Sequence, residues 1–339
     1  MPGSTASGPE VSVVIPTLGG YEVLPRVLDG YARQDAPEGS FEVLVVADSA
    51  EPRPAAIADA VGSRPYPVRR LTGARPGASA NRNAGLAASR APLVLFTDDD
   101  TIPTEGLVSA HLDWHRRHPE PEVAVLGHVR WARELRVTSF MHWLDHGLQF
   151  DFPSIEGEEA GWGRFYSANA SVKRAFAERV GGFDEDRLPY LYEDLDWALR
   201  ASEHGLRLLY AREAVVDHLR PVTLDTWKER VRRLAVAERT FVSLHPEIEP
   251  YFHDKFASAL ELPRASGRGV RLARWVPRGA PWIGPRAWIS RDVYFRQALA
   301  PHFLAAWQEA RAAPGPGGRS TPAPEPAPRR PGSTAGSAG

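Results

Sequence analysis

Short, mainly apolar runs alternate along the first half of the chain with segments whose apolar residues recur every three to four positions. "VSVVIPT", Val11 to Thr17, is β-branched and is stopped by a proline and a glycine pair, so it reads as a buried strand. In "YEVLPRVLDGYARQ" the residues Leu24, Val27, Leu28 and Tyr31 share one helical face. Pro25 falls in the first turn, where no backbone donor is lost. "FEVLVVADS" predicts a second buried strand ending on Asp48, and "PVRRLTG" a short third. "GASANRNAGLAASR" reads as a helix of small residues and "PLVLFTDDD" as a fourth strand. "GLVSAHLDWHRRH" is helical and "EVAVLGHVRW" is a strand. Strand and helix in alternation predict an α/β fold with a mainly parallel sheet.

Beyond residue 132 the pattern loosens. "RFYSANASVKRAFAERVGG" predicts a strand, then a helix ended by Gly181 and Gly182. A helix from about Tyr192 to His204 is closed by Gly205. Separate strands are expected near "LRLLYA" and "AVVDHL". From Asp225 the chain is helical and rich in arginine and tryptophan. The expected divisions are a disordered 1–9, a catalytic α/β domain over 10–224, a helical region over 225–312 and a disordered tail over 313–339, which is Pro/Gly/Ser/Ala-rich.

In open parallel sheets, ligands bind beyond the carboxyl ends of the strands. Pro16 and Thr17, Asp48, and the triplet Asp98 to Asp100 all lie at such ends. Three consecutive carboxylates repel one another. The repulsion is offset if a hard divalent cation, Mg²⁺ or Mn²⁺, is shared between Asp98, Asp100 and the phosphates of a substrate. A solvated acidic turn capping the next helix is the alternative for such a triplet taken alone. Glu193 and Asp194 open a predicted helix, where acidic groups also balance the macrodipole, and Asp196 and Arg200 have the spacing of a helical ion pair.

Composition narrows the choices. The chain has 339 residues and a net charge of −1, so no basic excess points to nucleic acid. It has no cysteine, which removes disulfides, thiolate metal sites and thiol nucleophiles and fits a reducing compartment. Neither a signal peptide in "MPGSTASGPE" nor an apolar run of about 18 residues is found, so a cytoplasmic protein is expected.

Taken in order, these pieces resemble family 2 glycosyltransferases of the GT-A fold. The resemblance rests on Val11 to Thr17, on Asp48 in "VVADS", on Arg82, Asn83, Gly85 and Leu86 in "RNAGL", and on Asp98 and Asp100 as a D-x-D motif. It continues through "SANASVKR…VGGFDE", Ser167 to Glu185, and ends with Glu193 and Asp194 in "EDLDWALR". It covers residues 10 to 220 or so. The resemblance implies a metal-dependent enzyme that moves a sugar, with inversion, from a UDP-, dTDP- or GDP-linked donor to an acceptor hydroxyl. Asp194 would be the general base and Glu193 would orient it or the acceptor. Asp48 would accept the N3–H of uracil or thymine, Pro16 and Thr17 would contact the nucleoside, and Arg82 and Asp99 would belong to the donor side. Asp98 and Asp100, with His218 as a further candidate, would hold the cation. Arg82 has an alternative reading as a solvated helix arginine, and His218 as a structural histidine.

The sequence departs from that pattern in two places. Ala47–Asp48 stands where an acidic pair is usual, and Leu18–Gly19 where a tyrosine–asparagine pair often follows the Pro-Thr. "RLARW", Arg271 to Trp275, fits the motif of processive relatives, but the membrane helices of those relatives have no counterpart, so a non-processive enzyme is expected. The acceptor class stays open among a glycan, a lipid-linked acceptor and a small-molecule alcohol. The stretch 264–296 holds eight arginines with Trp275, Trp282 and Trp288. Two readings stand for it: peripheral contact with the anionic inner face of a membrane, or tryptophans packed on the catalytic domain with arginines directed outward. The competing classes are a non-catalytic nucleotide- or carbohydrate-binding protein of the same fold and a sugar-1-phosphate nucleotidyltransferase. The latter lacks its basic residue in "PTLGGYEVLP", where only Arg26 follows shortly after.

Overall fold

A computed structural model describes residues 8–265 and 284–312. The expectations for residues 1–7, for most of the stretch 264–296 with its "RLARW" match, and for the tail 313–339 fall outside the described residues.

The first strands form where β-branched runs were read: β1 (Val11–Thr17), β2 (Phe41–Ala47), β3 (Val68–Thr72) and β4 (Leu93–Thr97). Between them lie α1 (Leu24–Tyr31), α2 (Pro54–Val61) and α3 (Ala78–Ala88). These strands pair in parallel in the order β3-β2-β1-β4. The second half departs from a simple parallel sheet. β6 (Val123–Trp131) and β7 (Asn169–Lys173) run antiparallel, and β7 also pairs antiparallel with β4. The two strands expected near "LRLLYA" and "AVVDHL" are one strand, β8 (Arg207–His218), whose pairing with β6 shifts register between Gly127 and His128. The sheet is mixed and mostly parallel, eight-stranded, in the order β3-β2-β1-β4-β7-β6-β8-β5.

A strand that the pattern did not predict matters most for the site. β5 (Thr101–Pro103) follows the aspartate triplet directly and pairs antiparallel with β8, setting Thr101 opposite His218. Helices α4 (Leu107–Arg117), α5 (Ser139–Leu144), α6 (Arg174–Val180) and α7 (Glu193–Glu203) complete the α/β unit. The helical C-terminal part is α8 (Leu224–Leu244), α9 (Tyr251–Glu261) and α10 (Gly284–Ala312). Trp227, Val231 and Ala235 of α8 bury themselves with Phe256, Phe303 and Trp307, and with Trp131, Phe140 and Trp143 from the α/β part. Residues after 224 therefore share a core with residues before it.

Helix α3 lies close on the sheet because Gly85 faces Val14. A Cβ at Gly85 would stand 2.3 Å from Val14 Cγ1. Val14 is fully buried, so neither side can yield cheaply. Gly85→Ala is expected to destabilise the fold by about 1–3 kcal/mol, read by urea denaturation, with partial recovery in the Gly85→Ala/Val14→Ala pair.

Candidate active site

The strand ends converge as the topology requires. The Asp48 backbone N–H donates to the Thr17 carbonyl at 2.9 Å, and the Thr17 hydroxyl donates to Asp99 Oδ2 at 2.6 Å. The triplet turns on Thr101, whose hydroxyl accepts from the Asp98 N–H at 3.1 Å and donates to the Asp98 carbonyl at 2.9 Å. The turn needs a neighbour without a side chain: a Cβ at Gly20 would lie 2.4 Å from Asp99 Oδ2. That steric demand explains one member of the glycine pair after β1.

The three aspartates have three different environments. Asp98 Oδ1 accepts from Arg82 Nη2 at 3.1 Å. Asp99 points inward to Thr17; burial and the charge of Asp100 push its carboxyl up to about 7 against the help of the Thr17 hydroxyl. Asp100 faces His218, with 3.7 Å between Oδ1 and Nε2, and Arg220, with 3.0 Å between Oδ2 and Nε. Strand β5 produces this contact by carrying the chain from the triplet onto β8.

Across the crevice, Glu193 Oε1 accepts from Arg82 Nη1 at 2.7 Å. Arg82 is thus no solvated helix arginine. It is 4% exposed and ties the aspartate triplet to the Glu-Asp pair. Burial works against its charge, but Glu193, Asp98 and Asp194 outweigh burial and hold the guanidinium above its ordinary range. Asp194 opens partly into the crevice. Its Oδ1 accepts from the Leu195 N–H at 2.9 Å, while the Ser167 N–H and hydroxyl stand 3.5 Å from Oδ2, the outer limit for such bonds. Burial first, then the charge of Glu193, push the Asp194 carboxyl up to about 7, against Arg82. Asp196 does pair with Arg200, at 2.9 Å, and also meets His245 Nε2 at 2.8 Å.

The remaining predicted residues are more constrained than sequence suggested. Asp48 is 2% exposed, and its carboxylate accepts from the N–H groups of Ala50 and Gly77 and from Asn81 Nδ2, so it shapes the loop before α3. Pro16 pairs in β1 with Val46 of β2. Asn83, quoted above only as a motif letter, clamps the segment after α6: its Oδ1 accepts from the Phe183 N–H, and its Nδ2 donates to the Phe183 carbonyl and to Glu185.

Sequence reasoning missed several residues. Glu51 holds the Gly19–Tyr21 loop by accepting from the Gly19 N–H at 2.7 Å and from the Tyr21 hydroxyl. Tyr192 has a φ of 67°, left-handed and unique among the described non-glycine residues. Its hydroxyl donates at 2.7 Å to Glu238 of α8, a buried carboxylate that also accepts from the N–H groups of Phe252 and His253. No local pattern announces these long-range bonds.

Several buried polar atoms around the crevice have no partner among the described residues: Arg82 Nε, Tyr190 Oη, His218 Nδ1 and Arg233 Nε. Buried polar groups are ordinarily satisfied, so these atoms can still bond a polar ligand or water.

The chain is similar to known proteins in sequence and in fold. Residues 12–165 match the family described as "Glycosyl transferase family 2", and residues 93–262 match "Glycosyl transferase family group 2". The chain is similar to validoxylamine A glucosyltransferase of Streptomyces hygroscopicus subsp. limoneus, 28% identical over 74% of this chain and 60% of the relative. It is also similar to the uncharacterized glycosyltransferase YfnE of Bacillus subtilis (strain 168), 24% identical over 62% of this chain and 64% of the relative. The chain thus spans 60% to 64% of the length of these relatives. Among solved structures, the mannosyltransferase PcManGT of Pyrobaculum calidifontis, in complex with GDP-Man and Mn²⁺, superposes with a TM-score of 0.51 at 20% identity, covering 91% of this chain and 77% of that one. That likeness establishes a shared GT-A fold.

Proposed function

The chain belongs to glycosyltransferase family 2, and from that premise we propose that it transfers a sugar, with inversion, from a nucleoside-diphosphate donor to an acceptor hydroxyl. The observation that carries the reading is the linkage, through buried Arg82, of an aspartate triplet to a Glu-Asp pair on the opposite wall. One wall suits the donor's diphosphate and the other suits an attacking hydroxyl.

Asp194 is the general base of this reading. It takes the proton of the acceptor hydroxyl as that oxygen bonds to the anomeric carbon. The bond from that carbon to the diphosphate oxygen breaks, and its electron pair leaves with the nucleoside diphosphate. A carboxyl held near 7 is well matched to accept a proton at neutral pH. Glu193, fixed by Arg82, keeps a like charge beside Asp194 and so supports its basicity. Ser167 lies where it can orient the Asp194 oxygen that takes the proton.

The donor set at the triplet suits a hard divalent cation. Asp98 and Asp100 offer carboxylate oxygens, and His218 faces Asp100 with its other ring nitrogen buried and unpartnered. The described residues include no ready cage of three or more acidic, histidine or cysteine ligands. Mg²⁺ and Mn²⁺ commonly complete such a partial set with water and substrate phosphates. When bound, the cation supplies Lewis-acid neutralisation of charge on the diphosphate.

The relative named for glucosyl transfer to validoxylamine A favours a hexosyl donor and a small-molecule alcohol as acceptor, beside glycan or lipid-linked acceptors. No helix among the described residues is long and apolar enough to cross a membrane. Membrane contact through 264–296 remains a separate proposal, tested by vesicle pelleting.

Calorimetric titration of UDP, dTDP and GDP, each with Mn²⁺, Mg²⁺ or EDTA, tests the donor reading. One nucleotide is expected to bind, more tightly with cation than with EDTA, and Asp100→Ala should erase the difference. Absence of binding by all three in every condition would sink the reading.

A further inference from the structure

 Helix α8 carries four arginines, Arg230, Arg232, Arg233 and Arg239, and they divide into two pairs by partner. Arg232 bonds Glu309 of α10 at 2.9 Å, and Arg239 lies over the Trp307 ring, 5.3 Å from its centroid. Arg230 and Arg233 have no carboxylate partner among the described residues. Arg230 rests 5.5 Å from the centroid of Trp227, and Arg233 keeps a buried, unpartnered Nε.

Positions 230, 233, 237 and 241 form one row along the helix, at spacings of three and four. The far end of that row is fixed: Ala237 and Phe241 pack with Leu188 and Tyr192, the residues that lead into Glu193. The near end therefore looks into the crevice. The charges acting on Arg230 are those of Arg233, Arg220, Glu193 and Asp98, and the charge of Arg233 reaches Tyr190 beside Asp48. Arg220 completes the row at the triplet, 3.0 Å from Asp100. Arg233 and Arg220 set like charges near Arg230, whose side chain is open to solvent. Three guanidinium groups thus run from the Asp48 end of the crevice to the aspartate triplet.

We infer that Arg220, Arg230 and Arg233 form a seat for the diphosphate of the donor, supplied by β8's exit and α8 and acting beside any divalent cation. This inference rests on the donor reading above. Guanidinium groups pair with phosphate oxygens through forked hydrogen bonds, and an anion between them relieves their mutual repulsion. The seat would leave part of the nucleoside-diphosphate affinity intact when divalent cations are removed.

The test titrates UDP, dTDP and GDP in EDTA, with uridine, thymidine and guanosine as uncharged counterparts, against wild type, Arg230→Gln, Arg233→Gln and the double variant. Each single substitution is expected to weaken the nucleoside diphosphate that binds wild type by about tenfold, with nucleoside affinity unchanged. Arg232→Gln, on the same helix, should bind as wild type does. Melting temperatures control for folding, and Arg230→Lys and Arg233→Lys, which keep the charge, should fall between wild type and the glutamine variants. If wild type binds a nucleoside diphosphate and the variants bind it equally well, this inference fails and the donor reading stands. If wild type binds none, with or without Mn²⁺, both fail.

Discussion

Asp194→Asn is expected to lower turnover by about 10²–10⁴-fold while nucleoside-diphosphate affinity stays near that of the wild type. The amide keeps the size of the carboxylate but cannot accept the acceptor's proton. The wild-type pH profile of kcat/KM should rise to a plateau, with an apparent pKa near the value of about 7 toward which burial and Glu193 push Asp194. Because Asp194 interacts with Glu193, that apparent value belongs to the pair. A folding consequence has the opposite sign. The folded-state pKa of Asp194 is raised, so the stability this group contributes is present at low pH and is lost as pH rises through about 7. Asn stays neutral throughout. Asp194→Asn should therefore melt higher than wild type at pH 8 and show no such gain at pH 4. The side chain is partly open to water, so the rise should be small. An Asp194→Asn protein with full turnover would remove Asp194 as base.

Arg82→Ala should have the larger effect on folding. Arg82 and Glu193 are both buried, and their side chains meet at 2.7 Å. Removing the guanidinium leaves Glu193 without its partner and Asp98 without a counter-charge. Loss of one partner from a buried ion pair costs about 3–5 kcal/mol. Urea denaturation should register that loss, and Arg82→Ala/Glu193→Gln should recover part of it, because the second change removes the stranded charge. Activity should fall as well, since the two walls of the crevice lose their link. A stability change below about 1 kcal/mol would mean that the pair contributes little beyond a surface salt bridge.

Much of this architecture was legible because it depends on local pattern. Strands β1, β2, β3 and β4, helices α1, α3 and α4, and the placement of Thr17, Asp48 and Asp98 at strand ends follow from apolar runs and their stops. The short strand β5 was not, because three residues give no period to read. Its partner is β8, more than a hundred positions away in sequence, and that pairing brings His218 to Asp100. The merging of two expected strands into β8 was hidden for a related reason: "RE" in "YAREAV" looks like a loop, yet the chain passes through it as an irregularity in pairing with β6. Arg82 could be placed on a helix but not assigned its partners, since Glu193 is 111 residues distant. The division of the α8 arginines was equally silent, because all four look alike until α10 claims two of them.

The left-handed backbone at Tyr192 has a consequence for how such a protein can change over time. Its conformation immediately precedes Glu193 and Asp194, and it is held by a hydroxyl bond to Glu238, whose other oxygen ties down the start of α9. A tyrosine in that region of φ is strained and persists only where its surroundings hold it. The helices after residue 224 are therefore no detachable accessory. Tyr192, Glu238 and the Phe252–His253 amides must be inherited together, so a lineage that exchanged its terminal helices for new ones would have to rebuild the geometry of its acidic pair at the same time.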